Sequence, residues 1–204
     1  MTPLARTIQQ MGMILLLTVF QCRQGAAQKI NFGAYTTSQG ITLNVSGDLN
    51  FNDKEPVIVS NSNETVTIAL NDNESQYIQI VGDATRDITI TIMAPSYLTV
   101  GAGGPGNQVS FNCQFAYSNL GSDTVSAAKA VAVQVPSGFT AITLPMLRRA
   151  SGTPLPPPTP AHGGYTPPSA TAYLFLYGSL GPVGNVTPGI YSGTINVSVD
   201  YTTY

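Results

Sequence analysis

Alternation of apolar and polar residues with a period of two is the feature that most constrains the fold of this chain. It is clearest in "VTPGIYSGTINVSVDY" (186–201), where a Pro-Gly turn leads into a run with apolar or small residues at every second position: Tyr191, Gly193, Ile195, Val197 and Val199. Successive side chains of a strand point to opposite faces of a sheet, so this run predicts a long strand with one buried face.

The same pattern recurs along the chain between clusters of Gly, Pro, Asn and Asp. The alternating runs are "ITLNV" (41–45), "TVTIAL" (65–70), "YIQIV" (77–81), "DITITIM" (87–93), "VSFNCQFAY" (109–117), "AVAVQV" (130–135), "FTAITL" (139–144) and "TAYLFLY" (171–177). Their spacing predicts an all-β domain of about nine or ten strands, as a sandwich or barrel. No connecting helices are needed, so we expect antiparallel sheets. One helical turn is predicted within "GSDTVSAAKA" (121–130).

The first 27 residues have the layout of a secretory signal peptide. Arg6 precedes an apolar run of ten residues (11–20), and small residues follow it. Gly25 and Ala27 fit the two small positions of a cleavage site, so we expect cleavage between Ala27 and Gln28. The mature protein is then secreted, periplasmic or on the cell surface.

Two alternatives to simple cleavage fit the leader less well. A membrane anchor would need an apolar run longer than ten residues to span a bilayer. Lipidation of Cys22 would need a small residue just before the cysteine, as in the bacterial lipobox, and the preceding "VFQ" lacks one. Cleavage therefore leaves 28–204 as a single domain, with no transmembrane segment expected in it.

Charge and cysteine content limit the partners of the mature chain. Six basic and ten acidic residues remain, a net charge of −4, and no basic patch exists beyond Arg148-Arg149. A nucleic-acid partner is therefore not expected, and no cofactor or metal is indicated. The remaining cysteine, Cys113, cannot form an intrachain disulfide and lies on the apolar face of its predicted strand. We interpret it as a core residue, with an intermolecular disulfide or a reactive thiol as alternatives.

Two segments interrupt the alternation. "GAGGPGN" (101–107) is predicted to be a Gly-rich turn between strands; it lacks the lysine of a phosphate-binding loop. "TPLPPPTPAHGGYTPP" (153–168) is predicted to be a Pro-rich surface loop between two strands. This loop is either a connection or a binding loop presenting His162 and Tyr165.

The sequence contains no arrangement typical of an active site. His162 is the only histidine and lies in the Pro-rich loop, where nothing would orient an imidazole for catalysis. The acidic residues lie mostly in turns, including Asp72 and Glu74 of "NDNES", without the spacing of a calcium loop. We therefore expect no enzymatic activity and no catalytic, metal-binding or cofactor-binding residues.

Several stretches carry a resemblance to a known family. "LYGSL" (176–180) followed by the terminal run resembles the C-terminal signature of the bacterial secreted family called domain of unknown function 4402. "LNVSGDLNFND" (43–53) and "YIQIVGD" (77–83) with the following "DITITI" are similar to its N-terminal element and middle hairpin, although Asn52 stands where the family has glycine. The terminal pattern is also similar to spore-coat U and archaic chaperone–usher pilin domains. These resemblances imply an exported, antiparallel immunoglobulin-like β-sandwich.

The resemblance to pilins gives the N-terminal segment 28–40 two interpretations. Ile30, Phe32 and Ala34 alternate with polar or small residues, as in a strand donated to the open groove of another subunit. The alternative is an ordinary first strand that pairs within its own domain. The expected function is a structural or adhesive role at the bacterial envelope or outside the cell. A fimbria-like subunit that polymerises by strand exchange and a carbohydrate-binding module are the alternatives, so the possible partners are further copies or surface glycans.

Overall fold

The structure is a computed structural model that describes residues 28–37, 40–55, 58, 63–149 and 167–202. The described part contains twelve strands and two short helices, which confirms the all-β class. The strands are β1 (Gln28–Thr37), β2 (Thr42–Val45), β3 (Leu49–Asn50), β4 (Val66–Ile68), β5 (Gln76–Asp83), β6 (Asp87–Met93), β7 (Tyr97–Thr99), β8 (Gln108–Ser118), β9 (Val133–Gln134), β10 (Ala141–Pro145), β11 (Ser169–Leu180) and β12 (Tyr191–Tyr201). The helices are α1 (Phe51–Lys54) and α2 (Val125–Ala130).

The strands form one curled, mixed sheet with the order β10-β6-β12-β7-β8-β11-β5-β2. Beside this path, β1 pairs with β12 and β3, β4 pairs with β11, and β9 pairs with β8. Strand β8 joins the two halves of the sheet, because its first residues pair with β7 and the rest with β11. The curl encloses one core that draws side chains from both halves.

The ladder between β1 and β12 is parallel, with Gln28 opposite Tyr191 and Ile30 opposite Gly193. The prediction of purely antiparallel sheets is therefore wrong at this ladder. That prediction assumed that only a crossover helix joins parallel strands. Here the first and last strands of the sequence lie side by side, and the whole intervening chain makes the connection.

Most of the predicted alternation is confirmed. In β6 the side chains of Ile88, Ile90 and Ile92 are buried, and in β12 those of Tyr191, Ile195, Val197, Val199 and Tyr201 are buried. Strand β11 differs, because its residues from Ala172 to Gly178 are all buried. It lies between β5 and β8, and α2 covers one of its faces, with the Lys129 ammonium 6.0 Å from the centre of the Phe175 ring.

The prediction of a strand over "AVAVQV" (130–135) is largely wrong. Helix α2 ends at Ala130, and only the two residues of β9 form a strand after it. Val131 and Val133 are 46% and 49% exposed, whereas Ala128 of the helix is buried. The helix that precedes this run begins at an N-cap: the hydroxyl of Thr124 accepts a hydrogen bond from the N–H of Ala127 (3.2 Å). This cap starts the helical turn that was predicted within 121–130.

The Gly-rich turn is confirmed between β7 and β8, where the N–H of Val100 donates to the carbonyl of Asn107 (3.1 Å). The expected signal peptide (1–27) lies outside the described residues, as does the Pro-rich loop apart from Pro167 and Pro168. Within the described ranges, no helix has the length and apolar character that a membrane span requires.

Candidate functional site

A cleft of about 470 Å³ opens where the β8–β9 pair faces the β6–β10 edge of the curled sheet. We call it the seam cleft. Its lining comes from the end of β6, from β8, from β11 and from the connection between β9 and β10: Ile92, Ala94, Cys113–Phe115, Gln134–Thr140 and Tyr177. Its walls come from both halves of the curled sheet.

The connection between β9 and β10 forms one wall of the seam cleft and is tied to both sides. The N–H of Val135 donates to the carbonyl of Phe115 in β8 (3.0 Å), and the carbonyl of Thr140 accepts from the N–H of Ile92 in β6 (2.7 Å). Between these anchors the N–H of Phe139 donates to the carbonyl of Pro136 (3.4 Å), closing a turn. The turn is thus held in place, and it presents the Phe139 side chain with 57% of its surface exposed.

The lining of the seam cleft combines aromatic rings with uncharged polar groups. Phe115, Phe139 and Tyr177 supply the rings, while Gln114 and Gln134 supply side-chain amides. None of the described lining residues carries a formal charge. A surface of this composition suits a neutral ligand that offers both apolar faces and hydrogen-bonding groups.

A second cleft of about 370 Å³ lies on the other side of the same connection. The two clefts share Gln134–Pro136 and Phe139, and the second also includes Val133, which is 49% exposed. Exposed apolar side chains that border a concave surface are typical of interaction sites. Phe139 is the aromatic side chain that lines both clefts, and it is 57% exposed.

Cys113 lines the seam cleft and is partly buried, on the inner face of β8 as predicted. Burial raises the pKa of its thiol from 9.0 to about 12. The thiolate is the nucleophilic form of cysteine, so this residue is a neutral thiol at physiological pH. Burial, with a contribution from Cys113, also raises the pKa of the neighbouring Tyr177 phenol.

The "NDNES" turn is a structural anchor. The Lys54 ammonium donates to the Asp72 carboxylate (2.8 Å) and, with the N–H of Ala69, lowers the pKa of that carboxyl. The Lys129 ammonium donates to the Ser75 hydroxyl (2.7 Å), and desolvation lowers its pKa. The turn thereby ties α1 to α2. In the part of the chain that the structure describes, no group of three or more His, Cys, Asp and Glu residues is placed to hold a metal ion.

The structure places only some of the residues singled out from the sequence. Ile30 is fully buried in β1. Phe32 and Ala34 belong to the backbone of β1, but their side chains lie outside the description, as do His162, Tyr165 and the junction residue Ala27. Gln28 is the first residue of β1 and is buried.

Sequence reasoning missed the seam cleft. Its defining residue, Phe139, was assigned to an alternating run, although β10 begins only at Ala141. The available signal was "PSGF" (136–139), a turn sequence that ends in a large apolar residue. A scan against protein-family models finds no match for the chain, and a search of curated proteins finds none either.

Proposed function

We propose that the mature chain is an exported, non-catalytic immunoglobulin-like β-sandwich with a structural or adhesive role at the bacterial envelope or outside the cell. The observation that carries the adhesive role is the seam cleft, because its charge-free, aromatic lining suits binding without reaction. The export step and the bacterial source rest on the leader sequence and on the resemblance to domain of unknown function 4402 and to spore-coat U domains.

Three structural facts support the sandwich within this proposal. The two halves of the curled sheet meet through β8, and they share one core. The first strand lies parallel to the last, so both chain ends of the described domain belong to the same half. A domain of this kind is rigid around its core and can present a binding surface at its open edge.

A binding assay with matched aromatic substitutions tests the adhesive role. The purified mature chain is applied to intact bacterial cells and to abiotic surfaces, and the bound fraction is measured. Phe139→Ala is expected to reduce binding at least about tenfold, since buried aromatic anchors dominate binding energy. Tyr97 is 53% exposed and lies outside the seam cleft, so Tyr97→Ala serves as the control and should bind normally. Equal binding by both variants would remove the seam cleft as the adhesive surface.

Carbohydrate binding is the second candidate, and the paired amides of the seam cleft favour it. Gln114 and Gln134 offer planar donors and acceptors for sugar hydroxyls, and the exposed ring of Phe139 offers an apolar platform. A glycan array with the mature chain should give signals that Gln134→Ala weakens. The predicted binding loop is tested in parallel with Tyr165→Ala. A blank array with the unsubstituted protein would exclude this candidate.

A fimbria-like subunit is the third candidate, and the position of β1 favours it. This strand pairs only with β12 and two residues of β3 among the described residues, so another copy could supply it by forming the same ladder. Lys29 and Ser192 are register partners with exposed side chains. A chain with both Lys29→Cys and Ser192→Cys can therefore report, through a disulfide, which copy supplies β1 to a given β12. Oxidation should then yield covalent multimers of the double variant that neither single substitution gives. A crosslinked monomer alone would show that β1 stays in its own domain.

A further inference from the structure

The start of β1 has an unusual polar environment. Gln28 is 1% exposed, and its backbone N–H donates to the side-chain oxygen of Asn52. Its register partner on β12 is the fully buried Tyr191. The side-chain oxygen of Gln28 is itself buried and accepts no hydrogen bond among the described residues. The backbone nitrogen is thus held in the fold as an uncharged N–H donor, and a positive charge placed on it would be desolvated.

We propose that Gln28 becomes the N-terminal residue on export and is closed to pyroglutamate in the mature protein. This inference rests on the export proposed above, because only cleavage after Ala27 frees the nitrogen of Gln28. The modification site is then Gln28, and its product is a neutral five-membered lactam. The step is separate from any adhesive or structural role and concerns how the first strand is accommodated in the core.

The reaction needs no co-reactant. The free α-amino nitrogen of Gln28 attacks its own side-chain carbonyl carbon, and a new C–N bond forms within the residue. The bond from that carbon to the side-chain nitrogen breaks, and the nitrogen leaves as ammonia after taking a proton from the attacking amine. The product keeps one N–H and one carbonyl oxygen on the ring. Closure precedes docking of β1, because the buried nitrogen of the docked strand is engaged with Asn52.

The surroundings of the terminus favour the closed form. An α-amino group is positively charged at neutral pH, and at this nitrogen the charge would lie beside residues with almost no solvent contact. The lactam removes the terminal charge and retains the N–H that donates to Asn52.

Mass spectrometry of the protein purified from an exporting bacterium tests the inference. The expected N-terminal peptide begins at Gln28 and is lighter than the open sequence by one ammonia. The matched control is Gln28→Asn, which keeps a side-chain amide but cannot form the five-membered ring, so its peptide should have the unmodified mass. Pyroglutamyl aminopeptidase gives a second readout: it should release the residue from the unfolded chain at least about tenfold faster than from the folded one, because the terminus is buried in β1.

The outcomes separate the two proposals. A chain that begins at Gln28 with a free amine overturns the pyroglutamate inference and leaves export intact. A chain that retains the leader, or is cut at another bond, overturns the export assumption and the inference with it. Failure of the enzyme to release any residue from the unfolded chain would show that the ring is absent, which also overturns the inference.

Discussion

Replacement of Gly178 by alanine should be the most damaging single-methyl change in the described part of this domain. Gly178 lies in β11, with Ile68 of β4 on one side and Cys113 of β8 on the other. Its φ is +154°, and a Cβ built on it would lie 2.1 Å from the backbone oxygen of Asn112. Because the obstacle is backbone in the middle of a ladder, no change of side-chain rotamer can relieve it.

The magnitude follows from three contributions. A side chain in this φ range costs about 1–2 kcal/mol. Displacement of closely packed neighbours adds about 1–3 kcal/mol. Weakening of a ladder hydrogen bond between β8 and β11 adds about 1 kcal/mol. The expected loss in the free energy of unfolding is therefore about 3–6 kcal/mol, a large share of the stability of an ordinary domain.

Two further glycines separate these contributions. Gly184 has a φ of +67° and nothing within 4 Å of a built Cβ, so Gly184→Ala should cost only the conformational part, about 1 kcal/mol. A Cβ on Gly193 would meet the Leu98 side chain at 2.8 Å, so Gly193→Ala should have an intermediate cost, which Leu98→Ala reduces. The backbone at Gly193 needs no positive φ, so its penalty is one of packing alone.

Urea unfolding of the mature chains, followed by far-ultraviolet circular dichroism, measures these differences. The chain contains no tryptophan, but its ten tyrosines provide a fluorescence signal as a second measure. A cost for Gly178→Ala no greater than that for Gly184→Ala would show that the carbonyl of Asn112 does not approach β11 as described. It would also refute the register of the β8–β11 ladder on which the seam cleft depends.

Three other predictions concern single side chains. Tyr201→Phe removes the acceptor for the N–H of Asp83 (2.7 Å) and should lower the free energy of unfolding in urea by about 1–3 kcal/mol. The control Tyr97→Phe, at a 53%-exposed site, should change it by less than about 0.5 kcal/mol. Cys113 keeps its proton in the folded state up to about pH 12 but loses it near pH 9 when unfolded, so stability should fall as pH rises above 9, and less steeply in Cys113→Ser. Thr124→Ala removes the cap of α2 and should cost about 1 kcal/mol, while Thr124→Ser should retain most of the stability.

The strand content of this fold could be predicted because burial alternates along most strands. In β6 the isoleucines at 88, 90 and 92 are buried while the threonines between them are half-exposed. The failure at 130–135 has a physical reason: the cap at Thr124 starts a helix that runs to Ala130, and after it only Val133 and Gln134 find a partner strand, in β8. The three-residue β7 gave too short a pattern to be recognised.

The seam cleft could not be predicted in the same way. Its lining combines residues from β6, β8 and β11, which lie far apart in the chain and meet only because the sheet curls. Alternation assigns a side chain to a face of its own strand, but it does not say which strands become neighbours. The partial exposure of Cys113 illustrates this, since its strand face was predicted and its place at the edge of a cleft was not.

The position of β12 explains why the C-terminal run carried the strongest sequence signal. Among the described residues this strand pairs with β1, β6 and β7, so it is central to its half of the sheet. A central strand has its register fixed from both sides, and a slip of one residue would move every buried side chain to the wrong face. Strict alternation from Tyr191 to Tyr201 is the sequence consequence of that constraint. The peripheral β3 and β9, at two residues each, are under no such constraint, and the sequence around β9 is where prediction failed.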